Sequence, residues 1–202
     1  MVTVHETSII GDEVSLGKNV TIGAYNVITG NVQIGDDVVI HNNCVIGAKP
    51  DQPKEERLGD GAGQIVINKG SVIKDFVTIS LPTLTEKTEI GELCYLMSNA
   101  YIAHDCTLGP NVVISHGARL SGYTKVGKYS NIGAGAVTHQ KTVIGDCVMV
   151  GANCFVKGEL MSGLIYLNKN KISGINNIGI ENSNLSDEEK LSIAKDADKY
   201  IN

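Results

Sequence analysis

The stretch from Glu89 to Lys157 reads EIGELCYLMSNAYIAHDCTLGPNVVISHGARLSGYTKVGKYSNIGAGAVTHQKTVIGDCVMVGANCFVK. Every sixth residue in it is a branched aliphatic or, once, a threonine: Ile90, Leu96, Ile102, Leu108, Ile114, Leu120, Val126, Ile132, Thr138, Ile144, Val150 and Val156. A second set, four positions later, is small and uncharged: Cys94, Ala100, Cys106, Val112, Ala118, Thr124, Ser130, Ala136, Thr142, Val148 and Cys154. A period of six matches neither an α-helix, which repeats every ~3.6 residues, nor a plain strand, which repeats every ~2, so the stretch is an internal repeat.

The six-residue unit predicts one short strand and one turn, with the large and the small residue both facing inward. Large and small side chains in alternation fill a narrow interior without voids. Three units make one triangular coil, and successive coils stack as parallel strands about 4.8 Å apart. Glycine and asparagine, which tolerate positive φ, recur at the expected turns: Gly91, Gly109, Gly127, Gly133, Gly145, Gly151, Asn111, Asn131 and Asn153. The sequence therefore predicts an all-β protein, a parallel β-helix of hexapeptide repeats.

The same phase runs through the N-terminal half, where large aliphatics again lie six apart: Val4, Ile10, Leu16, Ile22, Ile28, Ile34, Ile40 and Ile46. It is interrupted at residues 48–64, AKPDQPKEERLGDGAGQ, and more briefly at residues 80–87. Proline, glycine and charge predict that these segments are excursions from a corner of the coil, and loops on a rigid scaffold often carry binding groups. Asn26 is a misfit at a small inward position, which the pattern does not explain.

Beyond residue 157 the repeat fades, so we predict a β-helix domain at 1–157 and an irregular segment with a short C-terminal α-helix at 158–202. Ser186 and Glu189 have the spacing of a capping box, in which each side chain bonds to the backbone amide of the other. The sequence predicts a helix from about Asp187 to Tyr200. Such a helix is marginal in isolation, so we expect it to dock on the β-helix or on a neighbouring chain.

Composition narrows the class of protein. The 202 residues carry a net charge of −5, which argues against a general nucleic-acid binder. We find no run of 18 apolar residues and no basic-then-apolar leader, so we expect a cytoplasmic protein that does not span a membrane. Four of the five cysteines, Cys44, Cys94, Cys106 and Cys154, fall at small inward positions, so we interpret them as buried hydrophobes and predict no metal site.

Residues 18 apart lie at the same corner of successive coils, which places His104, Gly122 and Gln140 in one column. The columns on either side are Ala103, Ser121 and His139, and Asp105, Tyr123 and Lys141. An imidazole beside a carboxylate can act as a general base near neutral pH, and a glycine amide one coil away can stabilise an oxyanion. From these residues alone, a catalytic edge and an ordinary polar edge of a repeat protein are equally open.

Five runs are distinctive: NAYIAHDCTLG at 99–109, LSGY at 120–123, VTHQ at 137–140, VMVG at 148–151 and GIN at 174–176. With the hexads, they resemble the hexapeptide-repeat acyltransferases, which are left-handed parallel β-helices, and most of all the UDP-N-acetylglucosamine O-acyltransferases of lipid A synthesis. The similarity covers nearly the whole chain. The left hand follows from this resemblance, because the usual preference for right-handed crossovers would favour the opposite hand.

The resemblance implies that His104 is the catalytic base, that Asp105 is its partner, and that the Gly122 amide binds the oxyanion. It also implies a larger set of substrate contacts: Asp51, Lys54, Tyr101, Tyr123, His139, Gln140, Lys169 and Asn176. The donor would be an acyl thioester of coenzyme A or of acyl carrier protein, with no permanently bound cofactor. The family's members are homotrimers with sites between two subunits, so the resemblance implies a homotrimer.

The sequence departs from the family's pattern at several positions. Tyr101 and Tyr123 stand where the family has histidines, and the C-terminal helical domain is reduced to one helix. Lys169 replaces a histidine, and Asn182 replaces an arginine. Ala152 stands where a glycine admits a long acyl chain, which favours a shorter donor. We therefore expect transfer of a short or hydroxy-acyl group to a hydroxyl or amino group of a nucleotide-activated amino sugar, for cell-surface glycan synthesis.

Three alternatives stay open. One is the UDP-N-acetylglucosamine O-acyltransferase reaction of lipid A synthesis itself. Another is a non-catalytic β-helix used for assembly, which would bind coenzyme A thioesters without turnover. A third is a γ-class carbonic anhydrase, which needs a zinc-binding histidine triad with two members close in sequence, whereas the histidines here are spread widely: His5, His41, His104, His116 and His139. The sequence leaves the acceptor sugar, the acyl length and the choice of O- or N-transfer undetermined.

Overall fold

The computed structural model describes residues 1–51 and 63–201. The described chain forms a left-handed parallel β-helix of three sheets, and along the helix every third strand belongs to the same sheet. Sheet A runs through β1 (Thr3–Val4), β4 (Thr21–Ile22), β7 (Val39–Ile40), β10 (Val72–Ile73), β13 (Tyr95–Leu96), β16 (Val113–Ile114), β19 (Asn131–Ile132), β22 (Met149–Val150), β25 (Leu164–Leu167) and β26 (Lys171–Ile175).

The other two sheets have the same construction. Sheet B runs through β2 (Ile9–Ile10), β5 (Val27–Ile28), β8 (Val45–Ala48), β11 (Thr78–Ser80), β14 (Tyr101–Ile102), β17 (Arg119–Leu120), β20 (Val137–Thr138) and β23 (Phe155–Val156). Sheet C runs through β3 (Val14–Leu16), β6 (Val32–Ile34), β9 (Gln64–Ile67), β12 (Lys87–Ile90), β15 (Thr107–Leu108), β18 (Lys125–Val126), β21 (Val143–Ile144) and β24 (Glu159–Leu160). A short 3₁₀ turn (Asn168–Asn170) precedes β26, and two helices follow it, α1 (Asn177–Glu181) and α2 (Asp187–Asp198).

Strand pairing shows the predicted coil directly. Thr107 pairs with Lys125, which is the equivalent position three hexads further along the chain. The sequence separation is larger between the partners Val39 and Val72, and also between Val72 and Tyr95. The additional residues lie between β8 and β9 and between β11 and β12, within the two predicted excursions. Both excursions leave the β-helix at the corner that joins sheet B to sheet C; residues 52–62 of the first lie outside the described residues.

The hexad positions form the interior, as predicted. Every member of the two inward sets between residues 90 and 156 is buried. At the N-terminal end Val4 is 38% exposed, because the first coil has a neighbouring coil on one side only. The burial pattern therefore follows directly from the stacking of coils, each of which covers the next.

Asn26, the misfit of the sequence pattern, is fully buried and fully bonded. Its Nδ2 donates to the carbonyl oxygens of Gly23 and His41 at 2.9 and 2.7 Å. Its Oδ1 accepts from the Cys44 amide at 2.8 Å. A buried carboxamide is tolerated when its donors and acceptor are paired, so this side chain ties two coils together across a corner.

The expectation that residues 158–184 are irregular is wrong. β24 continues sheet C, with Glu159 paired to Val143, and β25 continues sheet A before β26 returns antiparallel to it. The sequence pattern missed this coil because Leu160 follows its partner Ile144 by less than three full hexads, so it leaves the six-residue phase while its side chain stays buried. A domain division at residue 157 stays a prediction.

Helix α2 begins where the capping box predicts. Ser186 Oγ accepts from the Glu189 amide at 3.2 Å, and Glu189 Oε2 accepts from the Ser186 amide at 2.9 Å. The helix docks through Ala197, which is buried against the turn at Gly163. Leu191, by contrast, points outward and is exposed. Across residues 1–51 and 63–201, we find no helix of the length and apolarity that crossing a membrane requires.

Candidate active site

The predicted site lies at the B–C corner, which we define as the stacked turns 103–106, 121–124 and 139–142 between sheets B and C. Asp105, Tyr123 and Lys141 occupy equivalent positions and share the left-handed conformation, with φ of 61°, 62° and 61°. The Tyr123 amide donates to the His104 carbonyl at 3.1 Å, and the Lys141 amide to the Gly122 carbonyl at 2.9 Å. These bonds hold one turn directly above the next, so the predicted columns exist.

His104 and Asp105 form a buried dyad. The Nδ1 atom of His104 lies 2.6 Å from Oδ2 of Asp105, and the two residues are only 5% and 4% exposed. An ionised carboxylate only accepts hydrogen bonds, so Nδ1 must carry the proton of this bond. In the neutral imidazole the lone pair is therefore on Nε2, the tautomer that a general base in this position requires.

The second excursion wraps around the same carboxylate. Asp105 Oδ2 accepts from the amide and the hydroxyl of Thr83 at 3.0 and 2.6 Å. Its Oδ1 accepts from the Leu84 amide at 3.2 Å, and from the amide and the hydroxyl of Thr85 at 2.7 and 2.5 Å. Burial opposes ionisation, but the hydroxyls of Thr83 and Thr85, with the bond from His104, outweigh it and lower the pKa of Asp105 to about 2. The carboxylate therefore fixes the loop and the imidazole together.

Tyr123 completes this cluster from the next coil. Its hydroxyl lies 3.0 Å from Thr83 Oγ1. Its ring meets the His104 imidazole edge to face, with centroids 5.2 Å apart and planes at 88°. Tyr123 is among the residues that the sequence predicts for the site, whereas Thr83 and Thr85 are not. The signal for them was a Thr-x-Thr pattern inside an insertion that leaves the coil at the corner occupied by His104.

Gly122 lies directly against the imidazole. A Cβ atom on this residue would stand 2.5 Å from Cε1 and 2.7 Å from Nε2 of His104, closer than atoms can approach. Glycine is therefore required here for the close approach of backbone to ring. The role of its amide in binding an oxyanion stays a prediction.

Asp51 and Tyr101 are bonded to each other on the sheet B side of this corner. The Tyr101 hydroxyl donates to Asp51 Oδ2 at 3.1 Å, and burial raises the pKa of this phenol. Asp51 is at the start of the first excursion, so this bond ties the first excursion to strand β14, which leads into His104. The predicted contact Lys54 lies outside the described residues.

His139 and Gln140 are exposed on the turn above Gly122. The ring of His139 stacks edge to face on Phe155, with centroids 6.2 Å apart. Lys169 sits beyond them, in the turn between β25 and β26, where Asn170 Nδ2 donates to the Lys157 carbonyl at 2.6 Å. Lys157 stands one coil above His139, so the turn that carries Lys169 lies past the last coil at the far end of the B–C corner.

Asn176 is not brought to this corner. Its Oδ1 caps α1 by accepting from the Gly179 amide at 3.2 Å, and its Nδ2 donates to the Cys147 carbonyl at 2.8 Å. Cys147 belongs to the corner between sheets C and A, on another edge of the prism. There Asn176 borders a cleft of about 300 Å³ whose polar lining is Asn111, Tyr129, Ser130, Asn131, Asn176, Asn182 and Ser183.

Cys44, Cys94, Cys106 and Cys154 lie inside the prism, whereas Cys147 is buried at the corner between sheets C and A, beside Ser183. Burial raises the pKa of Cys94 to about 11 and that of Cys106 to about 12, so these thiols are poor nucleophiles near neutral pH. In the part of the chain that the structure describes, no three His, Cys, Asp or Glu side chains are grouped so as to hold a metal ion. The reactive groups at the B–C corner are therefore an imidazole, a carboxylate and hydroxyls.

Comparison with known proteins gives a consistent result. The family model for the bacterial transferase hexapeptide (six repeats) matches residues 13–48 and 87–122. The acyl-[acyl-carrier-protein]–UDP-N-acetylglucosamine O-acyltransferase of Campylobacter concisus is 28% identical, over 89% of this chain and 76% of that protein. The corresponding enzyme of Verminephrobacter eiseniae is 30% identical, over 75% of this chain and 64% of that protein.

A solved structure extends the comparison to the fold. UDP-N-acetylglucosamine acyltransferase from Campylobacter jejuni matches with a TM-score of 0.77 at 23% identity, over 96% of this chain and 82% of that chain. At that identity the match speaks for the fold, and the fold is the one that the hexads predict. The chain therefore carries the bacterial transferase hexapeptide repeat and is similar, over most of its length, to the UDP-N-acetylglucosamine O-acyltransferases.

Proposed function

We propose that the protein transfers an acyl group from an acyl carrier protein thioester to a hydroxyl group of UDP-N-acetylglucosamine. The sequence alone favours a broader reaction, transfer of a short or hydroxy-acyl group to a nucleotide-activated amino sugar, with this reaction as an alternative. The names of the similar proteins favour that alternative over the broader expectation. The observation that carries the proposal is the buried His104–Asp105 dyad, because its geometry fixes the tautomer of a general base.

In the proposed reaction, Nε2 of His104 takes the proton of the sugar hydroxyl as its oxygen attacks the thioester carbonyl. A carbon–oxygen bond forms, and negative charge collects on the former carbonyl oxygen, which the Gly122 amide would stabilise. The carbon–sulfur bond then breaks, and the proton on His104 passes to the leaving thiolate. Asp105 stays ionised throughout and stabilises the imidazolium that forms between the two steps.

The other residues that we predict to contact substrate also suit a sugar acceptor and a thioester donor. Asp51 and Tyr101 present a carboxylate and a phenol on the sheet B side of this corner, which suits sugar hydroxyls. His139, Gln140 and Lys169 continue in that order along the B–C corner, away from the dyad. This row would follow the extended arm of a thioester donor.

We also propose that the protein works as a homotrimer. In one chain His104 and Asn176 lie at different corners, so a nucleotide sugar that reached both would have to lie between two subunits. Asn176 would then act on the nucleotide side of the neighbouring subunit's site, as the resemblance implies. The uncharged amides of the cleft around it, among them Asn111, Asn131 and Asn182, suit a base or ribose rather than an apolar ligand.

The deciding experiment is mass spectrometry of reaction products. The protein is incubated with UDP-N-acetylglucosamine and acyl carrier protein loaded with acetyl, hydroxybutyryl or longer hydroxy-acyl groups. We expect an O-acylated, base-labile product that depends on His104. A product formed only with an amino-sugar nucleotide, and stable to mild base, would replace O-transfer by N-transfer. Donor binding without turnover on the whole panel would favour an assembly protein.

A further inference from the structure

We infer that Thr83 is a positioning residue that turns the Tyr123 hydroxyl into a hydrogen-bond acceptor for the substrate. This inference rests on the proposed function, because it concerns the same reaction. It adds a residue from the second excursion to the site. It also fixes the direction of the hydrogen bond that the Tyr123 hydroxyl makes with the substrate. A phenol can both donate and accept, so the residue type alone leaves that direction open.

The Thr83 hydroxyl has a single proton and three polar neighbours. Thr83 Oγ1 lies 2.6 Å from Asp105 Oδ2, 3.0 Å from the Tyr123 hydroxyl and 3.3 Å from Nδ1 of His104. The carboxylate can only accept, and its contact is the shortest of the three, so the Thr83 proton is committed to Asp105.

The polarity of Tyr123 follows from that commitment. With its proton given to Asp105, Thr83 Oγ1 can act toward Tyr123 only as an acceptor, so the phenol must donate to it. Both hydrogen bonds then point the same way: Tyr123 donates to Thr83, and Thr83 donates to Asp105. Tyr123 is half-buried, with its ring against His104, and its oxygen retains a lone pair for a further partner.

This polarity restricts what Tyr123 can do for a substrate. It can bind a group that donates, such as a sugar hydroxyl or an amide N–H. It does not supply a donor to a carbonyl or to an oxyanion. Tyr123 therefore acts in binding and orientation of a donor group rather than in stabilising the developing negative charge.

Thr85 provides a matched comparison within the same loop. Its hydroxyl also donates to the Asp105 carboxylate, at 2.5 Å to Oδ1; it lies 3.1 Å from the Lys87 carbonyl oxygen and makes no bond to Tyr123. Thr83→Val and Thr85→Val each remove one hydroxyl donor from the same carboxylate while keeping the shape of the side chain. The difference between the two variants therefore reports the contacts of Thr83 Oγ1 with Tyr123 and His104, and combining each variant with Tyr123→Phe isolates the first of these.

The test is a double-mutant cycle on acyl transfer, with Tyr123→Phe combined with Thr83→Val or with Thr85→Val. We expect Tyr123→Phe to raise KM roughly three- to tenfold, the effect of one neutral hydrogen bond. After Thr83→Val, the same change should have little further effect, whereas it should keep its full effect after Thr85→Val. Thr83→Ser, which retains the hydroxyl, should match the parent, and melting temperatures should show that each variant is folded. Additive losses for Thr83 and Tyr123 would overturn the inference.

A second measurement does not depend on turnover. The side-chain carboxyl ¹³C resonance of Asp105 should move in Tyr123→Phe as well as in Thr83→Val, because the phenol strengthens the donation from Thr83 to the carboxylate. Thr85→Val should also move the Asp105 resonance, but Tyr123→Phe should produce the same shift in the Thr85→Val background as in the parent. An Asp105 resonance that does not move in Tyr123→Phe would overturn the inference. If the Asp105 resonance shifts as expected but no acyl transfer occurs with any donor, the proposed function fails, while the chain of hydrogen bonds from Tyr123 through Thr83 to Asp105 stands.

Discussion

At the scale of single residues, the site depends on adjacent side chains that face the same way. Neighbouring side chains of an extended strand point to opposite sides. Asp105 departs from extended geometry, with φ of 61°, and an aspartate tolerates this left-handed conformation better than most residues. The turn therefore allows His104 and Asp105 to meet at 2.6 Å although they are consecutive.

The proposed role of His104 as general base gives the first prediction. General base catalysis contributes ~10²–10⁴-fold, so His104→Ala should lower kcat by that factor with little change in melting temperature. His116→Ala is the matched control, because His116 is exposed at the corner between sheets A and B and should leave kcat unchanged. If His104→Ala keeps more than about a tenth of the parent kcat, orientation rather than base catalysis carries the reaction.

The contact between Gly122 and the imidazole gives a second prediction. In Gly122→Ala the new methyl group would overlap Cε1 and Nε2 of His104, so the ring must move and activity should fall by up to about 10²-fold. Gly117→Ala controls for the backbone, since that glycine has φ of +64° and open space around it. It should cost about 1–2 kcal/mol of stability and retain activity. Equal activity of the two variants would contradict the close approach.

The pKa of Asp105 gives a third prediction, about stability. Its pKa falls from 3.8 to about 2 on folding, so the ionised form stabilises the fold at every pH above about 4. Between about pH 4 and pH 2 the carboxyl takes up its proton and that contribution, about 2 kcal/mol, is lost. Urea unfolding of Asp105→Asn should lack this part of the acid sensitivity of the parent. Identical slopes of unfolding free energy against pH for both proteins would show that the carboxylate is not stabilised by its loop.

At the scale of elements, the two-residue strand β17 tests the phase of the repeat. Leu120 is fully buried and Arg119, its neighbour in the same strand, is exposed. Leu120→Asp places an unpaired charge in the prism and should cost about 3–5 kcal/mol in the free energy of unfolding. Arg119→Asp places the same carboxylate on the outer face and should cost less than about 1 kcal/mol. Similar melting temperatures for the two variants would mean that the inward phase is wrongly assigned.

The sequence predicts an element well where its side chains recur at a fixed spacing because they fill the interior of every coil. Ile102 or Leu120 must fill the interior of every coil, so the interior could be read from spacing. Thr83 has no such periodicity, since its partners Asp105 and Tyr123 come from other coils and depend on how an irregular loop folds back. The coil at β24 was missed for a related reason, because a shortened turn shifted it out of phase.

The site residues show the same division between positions that follow the repeat and positions that do not. The stacking of His104 under Gly122 follows from a sequence separation of one full coil, and the structure places them in contact. Asn176 follows the last coil of the repeat, so no spacing predicts its corner, and it lies at a different one from His104. Its side chain is also used to cap α1 and to hold the Cys147 carbonyl, a structural role that the resemblance did not suggest.

At the scale of the whole molecule, a parallel β-helix buries its interior within one chain and leaves its corners exposed. A site at one corner is therefore open on one side unless another chain covers it. If three subunits pack side by side, the B–C corner of one subunit can meet the corner between sheets C and A of the next, which carries Asn176. The distance between the two halves of the site in one chain is then a consequence of the assembly.

That argument gives the last prediction, which has two parts. Light scattering at micromolar concentration should give the mass of a trimer, about 64 kDa, from a chain of 21.4 kDa. Co-expression of His104→Ala and Asn176→Asp chains should restore activity to about a quarter of the parent value, because a random mixture leaves that share of shared sites intact. In Asn176→Asp the aspartate still caps α1 and places a charge where the nucleotide would meet an uncharged amide, but it loses the bond to the Cys147 carbonyl, so the melting temperature of this variant must match that of the parent. A monomeric mass would exclude the trimer, and a trimer whose mixed chains stay inactive would place the whole site within one subunit.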